Sequence, residues 1–267
     1  MNPILLAVLI VSGIGLLLGA FLVLANRFFA VEEDETVKEL CAILPGANCG
    51  ACGFSGCSGY AAALAENKQT ETTRCPVGGN ETAQKIAALL GVAAGEVAVK
   101  KARVRCQGFY DAKGKKSIYE GISSCHAATM LYGGDSACIY GCLGYGDCVG
   151  ACDKQAISIC GGVALVTPSL CKGCGKCVTA CPKHIIEMVS EKESAYVPCS
   201  NKDKGAQTKK VCQTGCLGCK MCAKVCEAGA IRFEGGLAVI DDSLCTGCGK
   251  CIAACKFGVI KSYSPFA

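Results

Sequence analysis

The 267-residue chain has a formal net charge of +5, no tryptophan, 34 glycines and 26 cysteines. Its 51% hydrophobic content comes partly from those cysteines and from one strongly apolar terminus, so a large apolar core is not expected and cysteine is the organising residue. The basic balance does not argue for nucleic acid: no basic run is interleaved with aromatics, and thiolates bound to metal clusters would reverse the sign of the net charge.

Residues 3–25, PILLAVLIVSGIGLLLGAFLVLA, contain no charge. As a helix they would span roughly 34 Å, which predicts a transmembrane helix within residues 1–27. A cleaved signal peptide would start with basic residues and have a shorter apolar region. Arg27 and Lys38 lie only on the carboxyl side, which places the rest of the chain in the cytoplasm: a single-pass protein of the cell (inner, cytoplasmic) membrane. Gly15 and Gly19 form a G-x-x-x-G, either a close-approach face for another membrane helix or glycine scattered in a span.

An acidic segment leads into a first metal domain, residues 28–93. Cys49, Cys52 and Cys57, followed by Cys75, supply four thiolates among glycines that let backbone N–H groups face cluster sulfurs, which predicts a [4Fe-4S] site. Structural zinc needs the same donors and is the alternative. Cys41 falls outside the pattern and reads as a small buried residue. The stretch NETAQKIAALLGV predicts a helix with Asn80 as N-cap, Glu81 in the first turn and Gly91 as its stop, packing Ile86, Leu89 and Leu90 on the domain. Residues 94–137 then read as a connecting segment.

The remainder is a duplication. LCKGCGKCVTAC at 170–181 matches LCTGCGKCIAAC at 244–255, and AISICGGVALV at 156–166 matches AIRFEGGLAVI at 230–240, both at an offset of 74. The blocks cover 138–189 and 212–267, with 190–211 as a linker. Repeated C-x2-C-x2-C-x3-C spacing is that of cluster ligands, whereas disulfides impose no such local regularity. Each block reads as cysteine motif, strand, Gly-Gly turn, strand, cysteine motif. The fold class expected is α+β, small and cysteine-rich: a transmembrane helix, one [4Fe-4S] domain and two tandem domains that resemble ferredoxins.

Each block resembles the bacterial two-cluster ferredoxin, and the resemblance implies that the last cysteine of each motif crosses to the neighbouring cluster. Carried over, Cys216, Cys219, Cys222 and Cys255 would hold one cluster, and Cys245, Cys248, Cys251 and Cys226 the other. In the first block Cys171, Cys174, Cys177 and Cys152 would hold a regular cluster. Its partner has Cys142, Cys148 and Cys181, with Tyr145 at the Cys219 position. Cys138, four residues before Cys142, is the expected substitute; a three-iron centre, or Cys125 or Cys106 as ligand, are the alternatives. The proline expected after a crossing cysteine occurs only at Pro182, and Asp153, Glu227 and Lys256 replace it elsewhere.

That makes five clusters, which would bring the net charge to about −5. Cys41, Cys106, Cys125, Cys160, Cys199 and Cys212 are left over. Cys212 aligns with Cys138, and VRCQG around Cys106 resembles VPCSN around Cys199, so the leftovers stand as a further metal site, reserve ligands or remnants of duplication. His126 and His184, with no carboxylate partner in view, read as surface or packing residues.

The order of parts, with CGACGFSGC closed by Cys75, resembles the B-subunit family of the Rnf electron-transport complexes (RnfB), in its longer clostridial form. The resemblance covers essentially the whole chain. It implies an electron-transfer subunit of an ion-translocating membrane ferredoxin:NAD oxidoreductase, taking electrons from soluble ferredoxin and relaying them to other membrane and peripheral subunits that move sodium or protons. Flavin and NAD would be bound elsewhere; this chain has neither G-x-G-x-x-G at a strand-to-helix turn nor a P-loop, and no catalytic residues are expected. Two other readings are a membrane-anchored polyferredoxin serving a hydrogenase or other redox complex, and a non-redox zinc protein.

Overall fold

The structure is a computed structural model and describes residues 3–28, 34–67, 70–190 and 194–263. Residues 1–2 of the expected membrane segment, 31–33 of the acidic segment, 191–193 of the expected linker and 264–267 of the second block lie outside the described residues.

Helix α1 (Pro3–Phe28) takes up the apolar terminus over 26 residues, reaching its first charge at Arg27. Its described side chains, among them Leu16, Leu17, Phe21 and Val23, are exposed apart from Ala25, which is half-buried. Among the described residues alone, no helix is long and apolar enough to cross a membrane; several α1 side chains fall outside that set, so a span rests on the sequence.

The first metal domain is three helices around a small core. Helices α2 (Glu35–Ile43), α3 (Cys57–Glu66) and α4 (Gly79–Leu90) bury Leu40, Tyr60, Leu64 and Ile86, with Cys41 packed at the margin. Asp34 caps α2 by accepting the Thr36 N–H, satisfying one of the first-turn donors. Helix α4 ends at Gly91 in the left-handed region, as its sequence suggests. Its start differs: α4 begins at Gly79, and Asn80 sits inside it, its Oδ1 accepting the Val97 N–H at 2.7 Å. The cap-like residue ties down the chain leaving the helix instead.

The first block comprises β1 (Lys100–Val104), α5 (Cys125–Met130), α6 (Asp147–Gly150), β2 (Ile157–Cys160), β3 (Val163–Val166), α7 (Lys176–Thr179) and β4 (Ile186–Ser190). The second comprises β5 (Ser194–Tyr196), α8 (Gly205–Val211), α9 (Met221–Lys224), β6 (Ile231–Glu234), β7 (Leu237–Ile240), α10 (Lys250–Ala254) and β8 (Lys261–Tyr263). The duplication is kept in register: Ile157 pairs with Val166 in the β2–β3 hairpin and Ile231 with Ile240 in β6–β7. It is also kept in the motif loops. Gly144 and Gly218 both have positive φ, and a Cβ on either would lie 2.7 or 2.6 Å from the carbonyl oxygen of Gly162 or Gly236 in the facing hairpin turn. Only glycine allows that approach.

The segments read as connector and linker are structural. Strand β1 pairs antiparallel with β4, and β5 with β8, so each block is closed by a strand that precedes its cysteine motifs. Ala102 and Val104 alternate with Lys101 and Arg103, but the charged face of β1 is buried as well as the apolar one. Lys101 donates to the Cys171 carbonyl at 2.8 Å. Arg103 pairs with Glu187 at 2.7 Å and with Asp242 at 3.1 Å, and lies over the Tyr196 ring, joining the two blocks.

Candidate metal centres

All 26 cysteines are free thiols. Among the described residues no three His, Cys, Asp or Glu side chains close on a single-ion position; the thiols are grouped in wider sets.

In the first domain the Cys75 thiol is raised by burial, and Cys52, Cys49 and Cys57 act on it in turn, so the four expected donors face one another. The Gly78 N–H donates to Cys75 Sγ at 3.4 Å. In the first block, burial pushes the Cys177 thiol up to about 12, with Cys171, Cys174 and Cys152 adding to the rise. Cys152 has thus crossed to the opposite motif. The Ala102 N–H donates to Cys171 Sγ at 3.4 Å and the Ala156 N–H to Cys152 Sγ at 3.3 Å.

The second block repeats the arrangement. Burial raises the Cys251 thiol, beside Cys245, Cys226 and Cys248. Cys222 is pushed up to about 11 by burial, beside Cys216 and Cys219. Cys255 packs on the same core, its Sγ accepting the Val259 N–H at 3.4 Å.

The set containing Tyr145 differs from the sequence expectation. Burial pushes the Cys148 thiol up to about 12, and the thiols that add to it are Cys142, Cys125, Cys181 and Cys177. Cys125 is brought there by α5: its N–H donates to Asp147 Oδ1 at 2.8 Å, and Ser124 Oγ and the His126 N–H donate to Oδ2. The Asp147 carboxylate also faces the His126 ring at 2.9 Å, a carboxylate partner that its sequence position did not reveal. Burial would raise the Asp147 carboxyl, but these hydrogen bonds outweigh it and hold it at about 2. The Tyr145 hydroxyl, raised to about 12 by burial, donates to Asp135, and its ring packs edge-on against Tyr119.

Cys138 is placed otherwise. Its Sγ accepts from Asn201 Nδ2 at 3.6 Å, and the thiols acting on it are Cys106 and Cys212. The long excursion between β1 and Cys138 returns Cys125 from outside the motif, and local spacing carries no signal of that return.

These surroundings fit iron–sulfur clusters. In each set four thiols face one another, at least one of them buried, with backbone N–H groups aimed at sulfur, an arrangement that becomes favourable when a cationic core lets all four ionise.

Known proteins agree with this assignment. Residues 44–77 match a family described as "Putative Fe-S cluster", and residues 170–230 and 215–259 match the 4Fe-4S dicluster domain. The chain is 42% identical to the B subunit of the ion-translocating oxidoreductase complex of Methanosarcina acetivorans, over 88% of this chain and 89% of the relative. It is 38% identical to the B subunit of the proton-translocating ferredoxin:NAD(+) oxidoreductase complex of Clostridium ljungdahlii, over 91% and 86%. It is 40% identical to the Na(+)-translocating counterpart of Acetobacterium woodii, over 90% and 72%. The chain belongs to the Rnf-type B-subunit family. It is accordingly an iron–sulfur protein of electron transport. The dicluster match at 170–230 runs across the block boundary, whereas the structure groups the thiols of Cys171, Cys174 and Cys177 with Cys152 inside the first block.

Proposed function

We propose that this chain is the subunit of an Rnf-type ferredoxin:NAD oxidoreductase that takes electrons from reduced soluble ferredoxin on the cytoplasmic side and hands them to membrane partners. Bound [4Fe-4S] clusters would supply reversible one-electron chemistry, and the protein supplies spacing and potential. The ligand sets are Cys49, Cys52, Cys57 and Cys75; Cys152, Cys171, Cys174 and Cys177; Cys142, Cys148, Cys181 and Cys125; Cys216, Cys219, Cys222 and Cys255; and Cys226, Cys245, Cys248 and Cys251. Cys125 replaces Cys138 as the donor opposite Tyr145. The 23 uncharged residues of α1 anchor the chain as a single membrane span.

The observation that carries this reading is continuity. Cys49 and Ala51 of the membrane-side domain line one cleft with Gly173, Cys174 and Lys176 of the first block. Cys49 and Cys174 both act on the Lys176 ammonium there. Within the block, Cys177 in turn acts on Cys148. The chain thus presents a line of donor sets leading to the domain next to α1.

Full-length chain purified anaerobically in detergent and mixed with reduced ferredoxin should bleach in the visible and develop electron paramagnetic resonance signals of reduced clusters. A preparation filled with zinc, or one that ferredoxin leaves oxidised while dithionite reduces it, would refute the reading. Co-purification with a hydrogenase and without flavin- and NADH-binding subunits would point to another complex.

A further inference from the structure

We propose that Cys106, Cys138, Cys199 and Cys212, two from each half of the duplication, form one more iron–sulfur site, which bridges the two ferredoxin-like blocks. All four line one small cavity at the seam between the blocks.

The site is built by the duplication itself. Cys106 lies two residues beyond β1 and Cys199 three beyond β5, the strands that close the blocks. Val104 stands opposite Ile186, and the matching position 74 residues on, Ile260, is followed by Lys261 opposite Tyr196. Cys106 and Cys199 therefore leave equivalent strand ends. Cys106 Sγ accepts the Cys142 N–H at 3.4 Å, and Cys199 Sγ accepts the Cys216 N–H at 3.5 Å. Cys142 and Cys216 are themselves 74 apart, as are Cys138 and Cys212. The four thiols are thus two copies of one pair, brought face to face.

Their setting is that of ligands. Cys138 and Cys199 are buried. Asn201, 2% exposed, donates to Cys138 Sγ, and Thr214 Oγ1 lies 3.5 Å from Cys212 Sγ. At Gly108 a side chain would press on Cys212 Sγ at 3.4 Å. Four thiols around one space, with N–H donors on three of the sulfurs, repeat the chemistry of the other sets. The seam is held shut around them: Gln107 Nε2 donates to the Thr214 carbonyl, Thr214 Oγ1 donates back to that of Gln107, and the Gln213 N–H donates to that of Ala112.

The position gives the site its role. Cys106 acts on Cys142 of the first block, and Cys216 of the second block acts on Cys199. An electron crossing between the blocks would oxidise a reduced centre in one, reduce this site, and then reduce a centre in the other as this site is reoxidised. No bond forms and no proton moves. This inference rests on the cluster reading of the other five sets but not on ferredoxin as donor.

Iron and acid-labile sulfide in the anaerobically purified wild-type chain should each approach about 24 per chain, and native mass spectrometry should resolve six clusters, not five. Cys106→Ser/Cys199→Ser should lose about four irons while the resonance signals of the other clusters persist; Cys160→Ser should lose none. A wild-type content of about 20, an unchanged content in the double variant, or a single zinc at this position would overturn the proposal. Failure of ferredoxin to reduce an intact six-cluster chain would instead refute the donor and leave the site standing.

Discussion

Tyr145 occupies the place that Cys219 holds in the second block, and what the side chain does there is structural. Its hydroxyl is committed to Asp135 and its ring to Tyr119. Asp147 gathers Cys125, Ser124 and His126 on the other side and points α5 at Cys148. Cys125→Ser should therefore cost the first block up to four irons or convert one centre to a three-iron form with its own resonance signal, whereas Tyr145→Phe should keep the iron. Equal iron in wild type and Cys125→Ser would return the fourth donor to Cys138. Lys113 is buried beside Cys142, its ammonium donating to the carbonyls of Cys142 and Gly162. A positive charge near a cluster favours the added electron: at about 8 Å and an effective dielectric near 20 the interaction is about 2 kcal/mol. Lys113→Met should lower the potential of the nearest centre by tens of millivolts in a redox titration followed by resonance; a potential that stays put would show the ammonium to be screened.

At the scale of elements, the hairpins and motif loops were legible in the sequence because each is local. The pairs β2–β3 and β6–β7 flank a Gly-Gly turn, and the crossed cysteines are what the resemblance to two-cluster ferredoxins implies. The closing strands were not, because β1 and β5 find partners only at the far ends of their blocks, and nothing local shows that the charged face of β1 is buried. The same long-range return left the sequence with Cys125 and Cys106 only as alternatives to Cys138, and with Cys199 among the unassigned thiols. Arg103 shows what the buried charge does. Its guanidinium, 6% exposed, bridges Glu187 of β4 and Asp242 of the second block. Arg103→Leu would strand two half-buried carboxylates, and because both keep some solvent the cost is about 1–3 kcal/mol. The melting temperature of the cluster-loaded chain should fall by several degrees. Arg103→Lys should recover only part of it, since a single ammonium cannot present a fork to two carboxylates. A full recovery by lysine would mean that charge alone, not the bridging geometry, holds the blocks.

For the molecule as a whole, the question is what holds it folded. Among the described residues the four sheets are two-stranded, and isolated two-stranded ribbons are marginal in water. The cores of the two blocks are cysteine-rich: Cys142, Cys148, Cys171 and Cys177 in one, Cys199, Cys222, Cys245 and Cys251 in the other. With the clusters absent, those thiols would be small apolar groups around unfilled space, while the fully buried aliphatic side chains of the blocks are few, Val163, Leu237 and Val259 among them. Cluster binding and folding should therefore be one process, as in metal-dependent small domains. Stripping iron anaerobically with a strong chelator should abolish the visible absorbance and the strand signal in circular dichroism together. The three-helix domain around Leu40, Tyr60 and Ile86 has a separate apolar core, so it should keep part of its helical signal. If the strand signal survives complete iron loss, the blocks are held by their own packing and the clusters are guests in a finished fold.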